Sequence, residues 1–360
     1  MKKFIVKFVQ PIILIFLIAF SINAFAQSAK TQQLDELIEK TVKPGDPGVA
    51  VLIVKDGEIK YERSRGVADL SKKKLITAKT PFYIASLSKQ FTAVAIEMLA
   101  ERGKLSYDDK LVKYFPEFES FAPEITLRQI LTHTSGLIDH LDVMEDKVTG
   151  WTNDDVVKLL KKENRVKFQP LEKFGYSNSG YVLLAMIVEK VSGISFSEFL
   201  SKNIFKPLKM NDTYVVDRKN LKIPDKAKGY SLTDNKWEVS DYDAFTVGAG
   251  GIYSTLEDLE KWDRSFYTQP LISKETIKTA SLPPTLNNGK PTPYGFGWLA
   301  EFAAKGDLAN VWYVASNGNF KGFQSFMKRI PERNFSVIVL SNYGNFPWEF
   351  VRLAEKLYAE

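Results

Sequence analysis

The 360-residue sequence contains no cysteine and only two histidines, His133 and His140. Without cysteine the chain has no disulfide framework, no thiolate nucleophile and no zinc–sulfur site. Two histidines leave poor ligand sets for a catalytic metal, so we expect neither a metal ion nor another cofactor. The sequence also lacks the H-E-x-x-H, G-x-x-x-x-G-K-[ST] and G-x-G-x-x-G patterns of zinc proteases, nucleotide-binding proteins and dinucleotide-binding proteins.

A strong excess of charge of one sign is also absent. The formal net charge is +6, but Lys2, Lys3 and Lys7 belong to a predicted leader, and the rest of the chain carries 46 basic and 43 acidic residues. This balance is too mild and too dispersed for a nucleic-acid partner. An apolar content of 44% and a charged content of 26% are ordinary for a globular protein.

Residues 1–26 have the pattern of a secretory signal peptide. Three lysines in the first seven residues form the basic region, Ile12–Phe20 is the apolar region, and Ala24–Ala26 is an A-x-A cleavage site. An uncleaved membrane anchor is the alternative, although the apolar run is short for a membrane span. We therefore expect an exported protein, periplasmic or secreted, that begins at Gln27 and keeps no stable membrane span.

Strand-like and helix-like patterns are unevenly distributed along the chain. Between residues 105 and 208 the patterns are helical, with little strand. The strand-like runs lie near both ends, at Val49–Val54, Glu58–Arg63, Tyr294–Glu301, Asn310–Val314, Phe323–Ile330 and Ser336–Leu340. This order predicts an α+β fold in which both chain ends share one sheet, with a helical lobe of about residues 105–245 inserted in a single domain of residues 27–360.

The stretch Phe82–Gly103 combines a helical apolar pattern with small and polar residues at its start. Apolar residues recur at helical spacing and Gly103 is a typical C-terminal stop, so we expect a helix over about residues 86–102. Ser86 and Lys89 lie three residues apart in its first turn, which places hydroxyl and amine on the same face. Backbone N–H groups at a helix start can also stabilise an oxyanion. This S-x-x-K pattern is that of penicillin-binding proteins and serine β-lactamases.

Two further short motifs each have a catalytic and a structural interpretation. Tyr176-Ser177-Asn178 precedes an apolar helix, where a loop tyrosine can transfer a proton and an asparagine can donate to a carbonyl group. The structural alternative is an asparagine N-cap beside a packing tyrosine. Ser316-Asn317-Gly318 lies on a strand-like stretch before Gly322, and its structural alternative is a hairpin turn.

A glycine cluster marks the second half of the chain. We expect Gly248–Gly251 to provide close backbone packing or a turn with positive φ, in preference to a phosphate-binding loop. Ser254 and Glu257 follow with the spacing of a capping box, which predicts a helix that extends to about Phe266.

Together these motifs follow the order and spacing of one known family. The chain resembles the serine β-lactamase-related family, which includes class C β-lactamases, low-molecular-weight penicillin-binding proteins and related esterases and D-aminopeptidases. The resemblance implies a β-lactamase/transpeptidase-like fold, with an antiparallel sheet built from both chain ends and flanked by helices. It extends from about residue 30 to the C-terminus and rests on six ordered blocks, Phe82–Lys89, Ile125–Leu137, Tyr176–Gly193, Pro207–Thr213, Gly248–Trp262 and Ser316–Phe323.

The resemblance also implies roles for individual residues. Ser86 is expected to be the acylated nucleophile, and Lys89, kept neutral by desolvation, to remove its proton. Tyr176 is expected to share in proton transfer to the leaving group, and Asn178 to hold the amide or carbonyl group of the substrate. The backbone N–H groups of Ser86 and Asn319 are expected to form the oxyanion hole.

The third motif departs from the family pattern. The family usually has K-T-G or H-x-G at this point, whereas this chain has Ser316-Asn317-Gly318, followed by a familiar N-F-K-G-F. The lost cationic or titratable group helps to bind a substrate carboxylate, so we expect recognition of penicillins and D-Ala-D-Ala termini to weaken by about 1.5–3 kcal/mol. Lys321 is a candidate substitute nearby in the sequence. We interpret His133, in a T-H-T-S-G turn, as structural.

Two functions are compatible with these residues. The first is an exported serine hydrolase that acts through an acyl-enzyme on a small molecule or peptide, either a β-lactam, a D-Ala peptide or an ester. The second is a catalytically weak, penicillin-binding-protein-like module that binds cell-wall fragments, and Ser316 is the feature that suggests it. The presence of Ser86, Lys89, Tyr176 and Asn178 favours the first.

Overall fold

The computed structural model describes residues 27–144, 150–218, 221–241, 244–268, 271–303, 308, 310–344 and 347–359. The predicted signal peptide, residues 1–26, lies outside these residues. None of the helices in these ranges is both long enough and apolar enough to span a membrane.

The strands and helices are as follows. The strands are β1 (Val49–Lys55), β2 (Glu58–Arg65), β3 (Val67–Asp69), β4 (Lys74–Leu75), β5 (Phe82–Tyr83), β6 (Tyr214–Val215), β7 (Tyr230–Thr233), β8 (Lys236–Val239), β9 (Ile252–Ser254), β10 (Leu299–Phe302), β11 (Trp312–Phe320), β12 (Phe323–Ile330) and β13 (Phe335–Ser341). The helices are α1 (27–41), α2 (Lys89–Glu101), α3 (Leu127–Leu131), α4 (Asn153–Glu163), α5 (Asn178–Ser192), α6 (Phe196–Leu200), α7 (Leu256–Ser265), α8 (Lys274–Ala280) and α9 (Trp348–Tyr358). Short 3-10 turns lie at Ala85–Ser88, Leu111–Lys113, Pro116–Phe118, His140–Asp142 and Pro331–Arg333, and a π turn lies at Ser201–Phe205.

The main sheet has six strands in the order β10-β11-β12-β13-β1-β2, with all neighbours antiparallel. Strands β1 and β2 come from the start of the chain and β10–β13 from its end. The central pairing joins Val49 to Ser341 across 292 positions of sequence. The predicted α+β fold, with one antiparallel sheet shared by both chain ends, is therefore confirmed.

The two faces of this sheet carry different layers of helices. Along β1, Ala50 and Leu52 belong to the larger core, which contains α2 and α5. Val51 and Ile53 point the other way and join a smaller core with α1 and α9. Side chains alternate across a strand, so this continuous apolar run fills both layers.

The middle of the chain packs against the larger core. Between residues 105 and 208 the described chain is helical or irregular, as predicted, and α5 is buried along most of its length. Short strands β6, β7 and β8 follow between residues 214 and 239. Helix α2 lies at the centre, and its first eleven residues, Lys89–Leu99, are all buried.

Two local predictions about helix starts need correction. The helix predicted over residues 86–102 begins with a 3-10 turn and becomes α-helical only at Lys89. The capping box at Ser254 and Glu257 is wrong by one residue, because Thr255 is the N-cap and accepts a hydrogen bond from the backbone N–H of Asp258 at 3.1 Å. The Ser254 hydroxyl instead forms a hydrogen bond with the hydroxyl of Thr213, just before β6, at 2.9 Å.

The strands near the C-terminus also differ from the prediction. The strand predicted at Tyr294–Glu301 is found only at Leu299–Phe302. The strand predicted at Asn310–Val314 overlaps only the first three residues of the nine-residue strand β11. Strand β11 continues through Ser316-Asn317-Gly318, and the turn to β12 lies at residues 321–322. The alternative that the third motif forms a hairpin turn is therefore wrong.

Candidate active site

Ser86 lies in the 3-10 turn that directly follows strand β5. The backbone N–H of Ile84 donates to the carbonyl oxygen of Ile252 at 3.0 Å, which fixes the chain just before the turn. Ala85 has a φ of 46°, a left-handed conformation that costs an L-residue about 1–2 kcal/mol. This turn places Ser86 in the lining of a cleft, partly exposed, while its neighbours in the turn are buried.

Lys89 is fully buried beneath Ser86. Its Nζ lies 3.2 Å from Ser86 Oγ, 2.8 Å from Asn178 Oδ1 and 2.8 Å from the carbonyl oxygen of Ala249. Burial lowers the pKa of Lys89 to about 7, and the Asp139 carboxylate opposes part of this shift. A neutral amine donates two N–H groups, here to the two carbonyl oxygens, and keeps one lone pair for the serine hydroxyl proton. The contacts of Nζ thus match those of a base beside Ser86.

The glycine cluster brings one of these acceptors to the lysine. A Cβ at Gly248 would lie 2.3 Å from the carbonyl oxygen of Tyr181, and Gly248 has a φ of 102°, so only glycine fits there. The close approach holds the Ala249 carbonyl against Lys89 Nζ. The prediction that Gly248–Gly251 serves close backbone packing is confirmed.

Tyr176 forms a wall of the same cleft. It is 40% exposed, and its ring centre lies 4.8 Å from Lys89 Nζ. The ring packs on His133 with 4.2 Å between ring centres. Although part of its side chain is exposed, loss of solvation in the cleft raises the pKa of Tyr176, and the Ser86 hydroxyl opposes this rise. Tyr176 is therefore a neutral phenol near pH 7, able to accept and donate a proton.

His133 packs against the ring of Tyr176. It is buried with a φ of 56°, and its Nδ1 accepts a hydrogen bond from the backbone N–H of Ser177 at 3.2 Å. Its ring lies between those of Tyr176 and Tyr181, whose centres are 4.2 and 5.1 Å away. Burial keeps the pKa of His133 well below its usual range, so the imidazole is neutral. These contacts agree with the structural interpretation.

Asn178 is the first residue of α5, but it is not the N-cap. Ser177 caps the helix by accepting from the backbone N–H of Gly180, so the alternative of an asparagine N-cap is wrong. The Asn178 side chain bridges two charged groups: Oδ1 accepts from Lys89, and Nδ2 donates to Asp139 Oδ2 at 2.8 Å. Asn178 thus lies between Lys89 and Asp139 and lines the cleft.

Asp139 is a site residue that the sequence analysis missed. It is buried, and its Oδ2 accepts from both the backbone N–H and the side chain of Asn178, at 3.1 and 2.8 Å. Its Oδ1 accepts from the backbone N–H of Leu141 at 3.1 Å and caps a 3-10 turn. Residues 139 and 178 are far apart in sequence, and a single aspartate after an apolar pair gives no local signal of this contact.

The strand of the third motif packs directly against the turn Ala85–Ser88. A Cβ at Gly318 would lie 2.3 Å from the carbonyl oxygen of Ile84, so glycine is required for this approach. Ser316 is buried on the same face of β11, two residues away. Asn319 lines the cleft together with Ser86. The structure thus brings Ser86, Lys89, Tyr176, Asn178 and Asn319 together at one cleft and packs Gly318 against the turn that carries Ser86. Ser316 lies two residues before Gly318 and is not among the residues that line the cleft.

Lys321, which the sequence alone could not place, lies in the turn that follows this strand. It has a φ of 50° and lines the cleft beside Phe320. A cationic residue therefore lies at the cleft, although position 316 of the motif itself carries a neutral hydroxyl.

The cleft has a volume of about 450 Å³, within the range of small-molecule sites. Most of its polar groups belong to the motifs, Thr246 being an exception, and its apolar wall consists of Leu141, Met144, Trp151 and Phe320. His140, also missed from the sequence, lines this wall, and its Nδ1 lies 3.2 Å from the Ser179 hydroxyl. Burial lowers the pKa of His140 to about 4, so the ring is neutral at pH 7.

The sequence and the fold match known proteins over most of the chain. A family profile described as beta-lactamase matches residues 34–358. Penicillin-binding protein 4* of Bacillus subtilis (strain 168) is 33% identical over 339 residues, which cover 87% of this chain and 72% of that protein. Protein flp of Staphylococcus aureus (strain MW2) is 30% identical over 325 residues, and the match covers 87% of this chain but only 63% of that protein.

A solved structure gives the same result for the fold. The crystal structure of a penicillin-binding protein from Bacillus halodurans matches with a TM-score of 0.78 at 26% identity, covering 90% of this chain and 99% of that one. The shared fold is that of penicillin-binding-protein-like serine hydrolases. The family profile, these relatives and the fold together show that the chain belongs to the β-lactamase family.

Proposed function

We propose that this protein is an exported serine hydrolase that forms an acyl-enzyme on Ser86. The observation that carries the proposal is the position of Lys89 Nζ, which lies 3.2 Å from Ser86 Oγ and makes its other two hydrogen bonds to carbonyl oxygens. Because burial lowers the pKa of Lys89 to about 7, a large fraction of the amine is neutral at physiological pH.

Acylation then proceeds as follows. Ser86 Oγ–H gives its proton to Lys89 Nζ, Oγ bonds to the substrate carbonyl carbon, and the carbonyl oxygen becomes an oxyanion. The backbone N–H groups of Ser86 and Asn319 stabilise that oxyanion, and the loss of one such donor typically costs 10²–10³ in rate. As the bond to the leaving group breaks, the Tyr176 hydroxyl passes a proton to the leaving atom and is reprotonated from Lys89.

In deacylation a water molecule is the nucleophile and Ser86 Oγ is the leaving group. A water molecule loses a proton to the same base, its oxygen bonds to the acyl carbon, and the bond from that carbon to Ser86 Oγ breaks. Oγ recovers a proton, and the carboxylic acid product leaves. No cofactor is needed for either half of this cycle.

The substrate is a small molecule or peptide with an ester or amide carbonyl. A cleft of about 450 Å³ with an apolar wall supports an acyl group with apolar character. Ser316 supplies no positive charge, which favours an ester or a peptide over a ligand that depends on a carboxylate contact with the third motif. β-Lactams and D-Ala peptides remain candidates that the experiment below separates from esters.

Export is part of the proposal. The basic, apolar and A-x-A regions of residues 1–26 support it. Expression in a bacterial host and mass measurement of the protein from the periplasm or medium should give a chain that starts at Gln27. A protein that retains residues 1–26 and sediments with membranes would favour the anchor alternative.

The reaction is tested by labelling with a fluorophosphonate and, separately, with a penicillin. Intact-mass spectrometry should show one fluorophosphonate adduct on the wild-type protein, and Ser86→Ala should show none. Hydrolysis of a nitrophenyl ester should vanish in the same variant. Penicillin labelling or turnover would show that carboxylate recognition survives without a cation at position 316, whereas fluorophosphonate labelling alone would favour an esterase.

A binding module for cell-wall fragments is the second candidate. The observation that favours it is Ser316, which is buried and neutral where the family has a cationic or titratable residue. No adduct with either reagent, together with binding of a muropeptide whose affinity is unchanged by Ser86→Ala, would support this candidate and refute the hydrolase.

A further inference from the structure

We propose that Asp139 is a positioning residue, which orients the Asn178 amide toward Lys89 and sets the pH range in which that lysine acts as a base. This inference rests on the proposed function and extends it to a residue outside the family motifs. Asp139 lies at the start of the His140–Asp142 turn, in a segment of the cleft wall distinct from both α2 and α5.

The hydrogen bonds around Asp139 require an acceptor at both carboxylate oxygens. Oδ1 faces the backbone N–H of Leu141 at 3.1 Å, and Oδ2 faces two N–H groups of Asn178 at 3.1 and 2.8 Å. An asparagine at position 139 would place its NH₂ group against an N–H donor in either orientation of its amide. Only an ionised carboxylate satisfies all three donors.

This requirement fixes the neighbouring amide. Because the Nδ2 group of Asn178 must face Asp139, its Oδ1 must face Lys89, where it accepts at 2.8 Å. A flipped Asn178 amide would direct N–H groups at the lysine and remove one of its two carbonyl acceptors. Asp139 thus holds the lysine lone pair toward Ser86 without touching the lysine itself.

The charge of Asp139 acts on the same lysine. The titratable rings near Lys89 are those of Tyr176, Tyr181, His133 and His140. Burial keeps the tyrosines protonated by raising their pKa and keeps the histidines neutral by lowering theirs. Among the described residues, Asp139 is the charge that raises the pKa of Lys89 against its burial.

The charged and titratable groups near Asp139 itself are few. His140 lies 3.6 Å from Asp139 through Nδ1, and its pKa of about 4 leaves it neutral above pH 5. Asp142, on the same turn, is more than half exposed and pairs with Lys167. Removal of the charge at position 139 should therefore lower the pKa of Lys89, whereas removal of the charge at position 142 should leave it nearly unchanged.

The test measures the second-order rate of fluorophosphonate labelling of Ser86 between pH 5 and pH 9. In the wild-type protein the rate should rise with pH as Lys89 loses its proton. In Asp139→Asn the midpoint should move to lower pH by about one unit, because an opposite charge has been lost. Its plateau should fall roughly tenfold or more, because the Asn178 amide is no longer held. Asp142→Asn, the matched control on the same turn, should show the wild-type midpoint and plateau.

The double variant Asp139→Asn with Asn178→Asp provides a second, opposite test. It moves the carboxylate to position 178, in direct contact with Lys89 Nζ, while the amide at position 139 can donate to it. The midpoint should then lie above that of the wild-type protein, and part of the plateau lost in the single variant should return. A general loss of structure cannot move the midpoint in opposite directions in two variants.

The outcomes separate this inference from the proposed function. Failure of the wild-type protein to label would refute the serine hydrolase itself. A wild-type protein that labels, together with an unshifted midpoint in Asp139→Asn, would overturn the role of Asp139 alone. Loss of a cooperative thermal transition in both variants would also overturn it, in favour of a purely structural role.

Discussion

The close approach of β11 to the turn Ala85–Ser88 predicts a large effect of Gly318→Ala. Gly318 lies at the point where the third-motif strand crosses Ile84 and Ala85. A Cβ there would be 2.3 Å from the Ile84 carbonyl oxygen, 2.5 Å from Ser325 Oγ and 3.0 Å from Ala85 Cβ. The Ser325 hydroxyl cannot simply rotate away, because it donates to the same Ile84 carbonyl at 2.7 Å.

The magnitude of the effect follows from these distances. An ordinary contact begins at about 3.4 Å, so β11 must move away from the turn by roughly 1 Å. Overpacking of this kind costs about 1–3 kcal/mol of stability, or a fall in Tm of about 2–10 °C. The same movement carries the Asn319 N–H away from Ser86, and a misplacement of about 1 Å near the reacting atoms costs on the order of 10² in rate. The rate of Ser86 acylation should therefore fall about 100-fold.

The assay compares Tm and fluorophosphonate labelling rate in Gly318→Ala and Gly344→Ala. Gly344 is an exposed glycine without positive φ, and a Cβ there meets no atom within 4 Å, so its variant should match the wild-type protein in both measurements. A Gly318→Ala variant that labels at the wild-type rate would refute the reasoning, because it would show that the strand and the turn need not be in contact for Ser86 to react.

Two further predictions concern buried titratable groups on α2. Lys89→Met should reduce the labelling rate by a factor of about 10²–10⁴, the usual contribution of a general base. The rate of the wild-type protein should rise with pH around a midpoint near 7, because burial lowers the pKa of Lys89 to about 7. A flat profile between pH 5 and pH 9 would contradict the assignment of Lys89 as the base. Glu97 is buried, and its Oε2 has no hydrogen-bond partner among the described residues. Burial raises the pKa of Glu97 well above its usual value. The contribution of Glu97 to the free energy of unfolding is therefore full below about pH 4.5 and is lost as the pH rises toward the pKa of the folded state. Glu97→Gln should therefore raise Tm by on the order of 2 °C or more at pH 8 and by less at pH 5, and an equal difference at both pH values would show that ionisation of Glu97 is not involved.

The parts of the fold that could be predicted are those with a local signal. The period of apolar residues and the glycine stop of α5 predict a helix over Ser179–Val191, and the structure has it at Asn178–Ser192. The runs that form β1 and β12 were predicted nearly to their ends, because they are short, apolar and bounded by turn residues. The prediction that strands from both chain ends share one sheet follows from their order along the chain, with strands at both ends and helices between.

The features that could not be predicted depend on contacts between distant parts of the chain. The left-handed φ of Ala85 has no local signal, because alanine rarely adopts it; it occurs where the turn packs against β11. The continuation of β11 through Ser316-Asn317-Gly318 depends on its pairing with β12 rather than on its composition. Asn and Gly in sequence favour a turn, and the partner strand overrides that preference.

The same distinction applies to the candidate site. The motifs identified Ser86, Lys89, Tyr176 and Asn178, because their spacing belongs to a known family pattern. Asp139 belongs to no such motif, and its link to the site is evident only from the hydrogen bonds that its Oδ2 accepts from Asn178. Residues that act by orienting others are therefore the ones that a motif search misses.

The most direct test of the central claim is intact-mass spectrometry of the protein after reaction with a fluorophosphonate, with Ser86→Ala measured in parallel. The account predicts one adduct, located on Ser86 by peptide mapping, in the wild-type protein and none in the variant. No adduct on the wild-type protein, or equal labelling of both proteins, would contradict the proposal that Ser86 is an activated nucleophile.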